Sequence, residues 1–288
     1  MSARRGVFCC FSVTARGLFC TAAALCVLLA PLCAFAGTAQ GELPVIMYHS
    51  VPPETARTGD YVISPETLEE DLRFLSENGY RTITPSQAYS FAAAGEEFPP
   101  KSVMLTFDDG FLNNLTNVLP LLEKYDFTAA VAVVGSYSEQ YSDHPDPNPL
   151  YAYLSWEEIC ALASSGRVEI ANHSYAMHAL WPRKGALRRR GETPEEFARA
   201  FSDDAARTQT LLAAHCGLVP GTYVYPFGGV EKGSQAMLFG MGFRTALTCR
   251  EKTNRAVLTQ DGLLVLGRFN RPSGVPTEKF MKKLGICS

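Results

Sequence analysis

Ser102-Val-Met-Leu-Thr-Phe-Asp-Asp-Gly110 runs from a strand-like apolar stretch straight into two adjacent carboxylates and a glycine. An uninterrupted run of this kind reads as a strand buried on both faces, as in parallel sheets. In α/β proteins, ligands and catalysis sit where such strands run out into loops. Asp108 and Asp109 stand at that edge. Two neighbouring carboxylates repel, so one pKa rises unless a cation or an arginine neutralises the pair. A metal ion is the natural occupant, although Asp-Gly is also a common turn dipeptide.

Outward from this stretch the chain alternates strand and helix. Residues 44–48 read as a buried strand that delivers His49. Ser64 caps a helix with Pro65 at its first position, and Leu68, Leu72 and Leu75 share one face before Gly79 stops it. A strand over 81–83 precedes a second Thr84-Pro85 cap and a helix ending at Gly95. Beyond the opening stretch come a helix near 120–125, an apolar strand over 128–134 and a Pro-, Ser- and Asp-rich loop over 135–154. Ser155 and Glu158 form a capping box, and residues 168–171 make a strand that delivers Asn172 and His173. A second capping box, Thr193 to Glu196, opens a long helix to about residue 214. Strands over 223–225, 244–247 and 263–266 and a last helix from Thr277 complete the order. About eight strand candidates alternating with helices predict a parallel sheet closed as a barrel.

The ends and composition bound the function. Arg4, Arg5 and Arg16 flank or precede an apolar run over 17–33 that leads into Ala34-Phe-Ala36, a small-x-small cleavage pattern. Residues 1–36 read as a secretory signal and 37–288 as the working domain; an uncleaved anchor is the alternative. Either places the domain outside the cytoplasm. The leader holds three of the 26 basic residues and none of the 29 acidic ones, so the mature net charge is −6, which disfavours nucleic-acid binding. Cys160, Cys216, Cys249 and Cys287 remain, with no metal-ligand spacing; disulfides and free buried thiols are both open.

All five histidines fall in the mature chain, and His173-Ser-Tyr-Ala-Met-His178 brings two of them close together. Five residues apart on a helix they would diverge by about 140°, whereas on a loop leaving a strand they can converge. Two imidazoles and one carboxylate make a zinc-type ligand set with a position left open.

Thr106-Phe-Asp-Asp-Gly110 followed by His173-Ser-x-x-x-His178 resembles the NodB-homology polysaccharide deacetylases, carbohydrate esterase family four. The resemblance covers roughly residues 43–285 and implies a distorted (β/α)7–8 barrel. The Val-Ile-Met-Tyr-His49-Ser opening and Tyr225-Pro-Phe-Gly228 resemble the branch acting on poly-N-acetylglucosamine and related glycans. By this resemblance Asp109, His173 and His178 are the ligands of a divalent transition metal, zinc first, with cobalt or nickel as alternatives. Asp108 becomes the general base, and backbone near Tyr225, Pro226 and Phe227 an oxyanion site.

Two features depart from the family pattern. The arginine that usually orients the base is replaced by Val224, and no histidine follows His215 to serve as late general acid. Arg268 or Arg271 is expected to replace the arginine, and His49 the acid. Trp181 and Phe227, close to the motifs, are candidate sugar platforms. His144 reads as a solvated loop residue, and His215 as a favourable charge at a helix C-terminus. Arg183, Lys184 and the run 188–190 read as a solvated basic face that could attract an anionic polymer. The expected protein is an exported, metal-dependent deacetylase of an N-acetylated glycan, peptidoglycan or exopolysaccharide, touching membrane only through an uncleaved leader. An O-acetyl esterase and an inactive glycan-binding protein are the alternatives; a calcium site is disfavoured by two imidazoles.

Overall fold

The computed structural model describes residues 41–53 and 56–286. The expected leader over 1–36 and Cys287 lie outside the described residues. The order begins β1 (Glu42–Leu43), β2 (Val45–Tyr48), α1 (Pro65–Glu77), β3 (Arg81–Thr82), α2 (Pro85–Ala94), β4 (Ser102–Phe107), α3 (Leu119–Lys124), β5 (Ala129–Val133) and α4 (Gly135–Asp143). It continues with α5 (Trp156–Ser164), β6 (Val168–Asn172), α6 (Pro194–Cys216), β7 (Thr222–Val224), α7 (Ser234–Gly240) and β8 (Thr245–Leu247). Last come β9 (Asn254–Arg255), β10 (Leu264–Leu266), β11 (Phe269–Asn270) and α8 (Thr277–Lys283).

Strands β2, β4, β5, β6, β7 and β8 pair side by side in that order, every ladder parallel. At one end β10 pairs in parallel with β8, and at the other β11 pairs in parallel with β2. Only Gly267 and Arg268 separate β10 from β11, so one short segment joins both ends of the sheet and curls it into a distorted (β/α) barrel. The seam needs glycine at 267, because a Cβ there would lie 2.2 Å from the Arg250 carbonyl oxygen. Asn254 clamps it from outside, accepting from Gly267 N at 2.7 Å and donating to Gly267 O at 2.9 Å.

The period of two along each strand sorts side chains between the barrel interior and the helix layer. On β4, Val103, Leu105 and Phe107 pack outward with Leu68, Leu72 and Leu75 of α1. Met104 instead joins Val45, Ala132, Ala171, Val224, Leu247, Leu264 and Leu266 in the interior. Extended past the strand ends, the interior positions are His49, Asp108, His173, Cys249 and Arg268. Tyr225 and Arg271 fall on the other face.

Helix caps form as the sequence predicts: Ser64 accepts from Thr67 N, and Thr84, Ser155 and Thr193 each head a complete capping box. The expected loop over 135–154 is half helix. Residues 135–143 form α4, whose first amides bond outward, Gly135 N to Ser174 O and Ser136 N to Tyr175 O. Tyr137 and Tyr141 pack their rings on Tyr153, so tertiary contacts override a Ser- and Tyr-rich composition of weak helix propensity. Cys160 and Cys216 form a disulfide that ties α5 to the end of α6, and Cys249 is free.

Candidate active site

The interior positions of β2, β4, β6 and β8 open into one cleft of about 530 Å³ at the C-terminal ends of the strands. Its wall includes His49, Asp108, Asp109, His173, His178 and Phe227. Sequence reasoning named these six. Met47, Tyr61, Leu180, Cys249, Glu251 and Asn270, to which it assigned no role, also face the cleft; of these, Met47 and Cys249 were within reach of the period-two argument.

Asp109, His173 and His178 converge. His178 Nε2 lies 3.1 Å and His173 Nε2 3.5 Å from Asp109 Oδ1, and one donor atom from each residue lies within 4.8 Å of the others. These are hydrogen-bond distances without hydrogen-bond directions, since Asp109 Oδ1 is buried and has no hydrogen-bond partner among the described residues. Atoms arranged this way point at a common centre rather than at each other. Two ligands of a tetrahedral zinc stand about 3.3 Å apart, so the three residues fit such an ion. His173 is set for that role by its other nitrogen: Nδ1 lies 2.8 Å from the Val224 carbonyl and donates to it, leaving the Nε2 lone pair free. Burial opposes charge on Asp109, but the two imidazoles hold its carboxyl well below the usual range. Burial would likewise lower His173, yet Asp109 and Asp108 raise it.

Asp108 borders this set, its Oδ2 4.0 Å from His173 Nε2, and is gripped by Arg268. Arg268 Nη1 donates to Oδ1 at 2.6 Å and Nη2 to Oδ2 at 2.8 Å, a bidentate pair with the arginine fully buried. Burial works against charge on Asp108, and the guanidinium together with the nearby His173 and His49 imidazoles holds the carboxyl below its ordinary value. Arg268 Nε is fixed by the Thr248 carbonyl at 3.1 Å. Arg271 does not reach the cleft. It lies on the outward face and pairs with Asp71 of α1 at 2.7 and 3.0 Å, where Tyr48 OH and Thr277 Oγ1 also donate.

His49 lines the cleft with its ring edge-on to Tyr61, centroids 4.8 Å apart, and its Nδ1 has no partner. Burial lowers its pKa, against the pull of Asp108 and Asp109. Tyr225 is fully buried; its ring packs with Phe201 and Tyr223 and its hydroxyl meets Ser234 Oγ at 2.8 Å, so the side chain does not face the cleft. Pro226 is buried as well. Phe227 is 41% exposed and its ring lies 4.7 Å from that of His178. Trp181 is 84% exposed, one residue beyond the cleft-lining Leu180 and not itself on the wall. Asp109, Ser174 and Phe227 all hold left-handed backbone conformations without being glycine, at φ +72°, +72° and +56°. Such strain concentrates at functional sites.

The chain is similar to known proteins. Residues 95–246 match the polysaccharide deacetylase family. Over 204 residues the chain is 27% identical to a poly-beta-1,6-N-acetyl-D-glucosamine N-deacetylase of Escherichia coli K12, an alignment covering 64% of this chain and 30% of that protein. The chain thus spans less than a third of that relative's length. A Staphylococcus aureus protein of the same name is 22% identical over 194 residues, 67% of this chain and 63% of its own. Among solved structures, IcaB from Ammonifex degensii superposes with a TM-score of 0.65 at 26% identity, over 81% of this chain and 92% of that one. A de-N-acetylase from Aggregatibacter actinomycetemcomitans gives a TM-score of 0.70 at 22% identity over 84% and 99% of the two chains, a likeness of fold alone. The matched residues take in Asp108, Asp109, His173 and His178, and the chain belongs to the polysaccharide deacetylase family.

Proposed function

We propose that the protein is a metal-dependent deacetylase that removes N-acetyl groups from an N-acetylglucosamine polymer. The observation that carries this reading is the pairing of two unlike carboxylates in one cleft: Asp109 converges with His173 and His178, while Asp108 is clamped by Arg268, its Oδ2 4.0 Å from His173 Nε2. A divalent transition ion bound by Asp109, His173 and His178, zinc first and cobalt or nickel as substitutes, would polarise the acetamide carbonyl and lower the pKa of water in the cleft.

The remaining steps fall to the chain's own groups. Asp108, ionised and held by Arg268, takes the proton of the attacking water as general base. The oxyanion needs an N–H donor. Tyr225 N is committed to the Leu247 carbonyl and proline has no N–H, which leaves the Phe227 amide. His49 gives the departing amine its proton. Burial keeps its imidazole neutral at rest, so it must first be charged from Asp108 or solvent. Phe227 offers a ring face for a sugar, and the exposed Trp181 a second platform at the rim. Arg268 supplies the guanidinium that Val224 lacks, which weakens the case for an inert glycan-binding protein.

The names of the Escherichia coli and Staphylococcus aureus relatives favour a β-1,6-linked polymer over peptidoglycan as substrate. We place the working domain, residues 37–288, outside the cytoplasm on the leader-like sequence, and the Cys160–Cys216 disulfide supports an oxidising compartment. The test is acetate release from poly-N-acetylglucosamine, chitooligosaccharides and peptidoglycan with zinc or cobalt added. Release from the first substrate is the expected result. No release from any of them would sink the reading, and release only from O-acetylated xylan would make the protein an esterase.

A further inference from the structure

We propose that Asp204, on α6, is a positioning residue for the metal site: its carboxylate fixes the loop that carries His173 and His178. The proposal rests on the reading of those histidines as ligands. Asp204 Oδ1 accepts from Tyr175 N and Oδ2 from Ala176 N, each at 2.8 Å. Ser174, at φ +72°, turns these consecutive N–H groups toward one side, which makes a small anion-binding concavity. Asp204 fills that concavity with a side-chain carboxylate and forms no ion pair among the described residues.

The rest of the loop is held around this anchor. Asn172 accepts from Ser174 N at 2.9 Å and donates to Ala205 O at 2.9 Å, tying the end of β6 to the same turn of α6. On the opposite side, Gly135 N and Ser136 N take the carbonyls of Ser174 and Tyr175 at 3.0 and 2.9 Å. From α4, besides these backbone groups, Glu139 takes the Tyr175 hydroxyl and Tyr137 OH donates to His178 O at 3.3 Å. From α6, the two consecutive amides of the turn are held by one carboxylate, and the Arg207 guanidinium lies 3.7 Å from the Tyr175 ring. Because Asp204 touches only backbone between the two histidines, it acts on the metal through the shape of the loop.

The experiment compares zinc affinity of the full chain, by equilibrium competition with a chromophoric chelator, against the melting temperature of the metal-free protein. Asp204→Asn puts an NH2 group against an amide N–H that needs an acceptor. It is expected to weaken zinc binding about 10- to 100-fold, the usual cost of losing a residue that orients metal ligands. Asp204→Glu keeps both acceptors and is expected to recover much of that loss. Leu212→Ala, buried on the same helix and remote from the loop, is expected to lower the melting temperature and leave zinc affinity unchanged. Wild-type affinity in Asp204→Asn, or an equal loss in Leu212→Ala, would overturn the proposal. A wild-type chain that binds no zinc would instead overturn the reading of the histidines, and the proposal with it.

Discussion

Two buried arginine–aspartate pairs lie three residues apart along the closing segment of the barrel, Arg268 with Asp108 and Arg271 with Asp71. Both are bidentate and both are shielded from water. They differ in the face they occupy. Arg268 continues the interior face of Leu264 and Leu266 and meets an aspartate that lines the cleft. Arg271 follows Phe269 to the outer face, where Asp71, Tyr48 and Thr277 surround it under α1 and α8. An odd spacing along an extended chain is enough to send one chemistry to a reaction and the same chemistry to the scaffold.

Four variants probe that contrast, taken here from the largest effect down. Arg268→Ala should lower kcat by about 10²- to 10⁴-fold, the range expected when general-base catalysis fails. Its pH profile carries the sign. In the wild type Arg268, with His173 and His49, overcomes burial and holds Asp108 below the ordinary carboxyl range, so the base stays ionised into mildly acidic solution. Without the guanidinium, burial is opposed only by the nearby His173 and His49, so that pKa rises, and the acid limb of kcat/KM should begin at higher pH. An unmoved limb would detach Asp108 from the limb altogether.

Arg271→Ala should leave Asp71 as an unpaired buried charge and cost about 3–5 kcal/mol of stability by denaturant unfolding. Specific activity of the folded fraction should hold, because no atom of this pair lines the cleft. Asp71→Leu combined with Arg271→Met should recover most of that loss, since a buried ion pair and an apolar pair of similar volume are often near equal; the Tyr48 hydroxyl, which donates to Asp71, limits the recovery. Arg268→Lys is the mildest change. It keeps the charge and loses the fork, and a fall in kcat of roughly tenfold is expected because a lysine cannot grip both oxygens. Full activity in Arg268→Lys would reduce the pair to simple charge balance.

The sequence carried more of the frame than of the site's support. Strand runs, Pro-headed helices and capping boxes were legible because they are local, and β4 was legible because a run buried on both faces has few other readings. The seam was not: β11 is two residues long, and closure depends on a glycine whose need arises from the Arg250 carbonyl, distant in sequence. Helix α4 was hidden because its residues favour turns and its order comes from the loop it holds and from Tyr153. The choice between Arg268 and Arg271 was open from composition, although the odd spacing already assigned them to opposite faces. The same parity turns the Tyr225 ring away from the cleft. Asp204 had no signal at all, since its partners are backbone amides that any sequence possesses.

The central claim is the division of labour between neighbouring carboxylates, Asp109 for the ion and Asp108 for the proton. It is tested most directly by measuring zinc content and acetate release from poly-N-acetylglucosamine side by side for the wild type and Asp108→Asn. The account predicts one zinc per chain in both proteins and a loss of acetate release of about 10²-fold or more in the variant. Zinc lost together with activity, or activity kept without the Asp108 carboxylate, would contradict it.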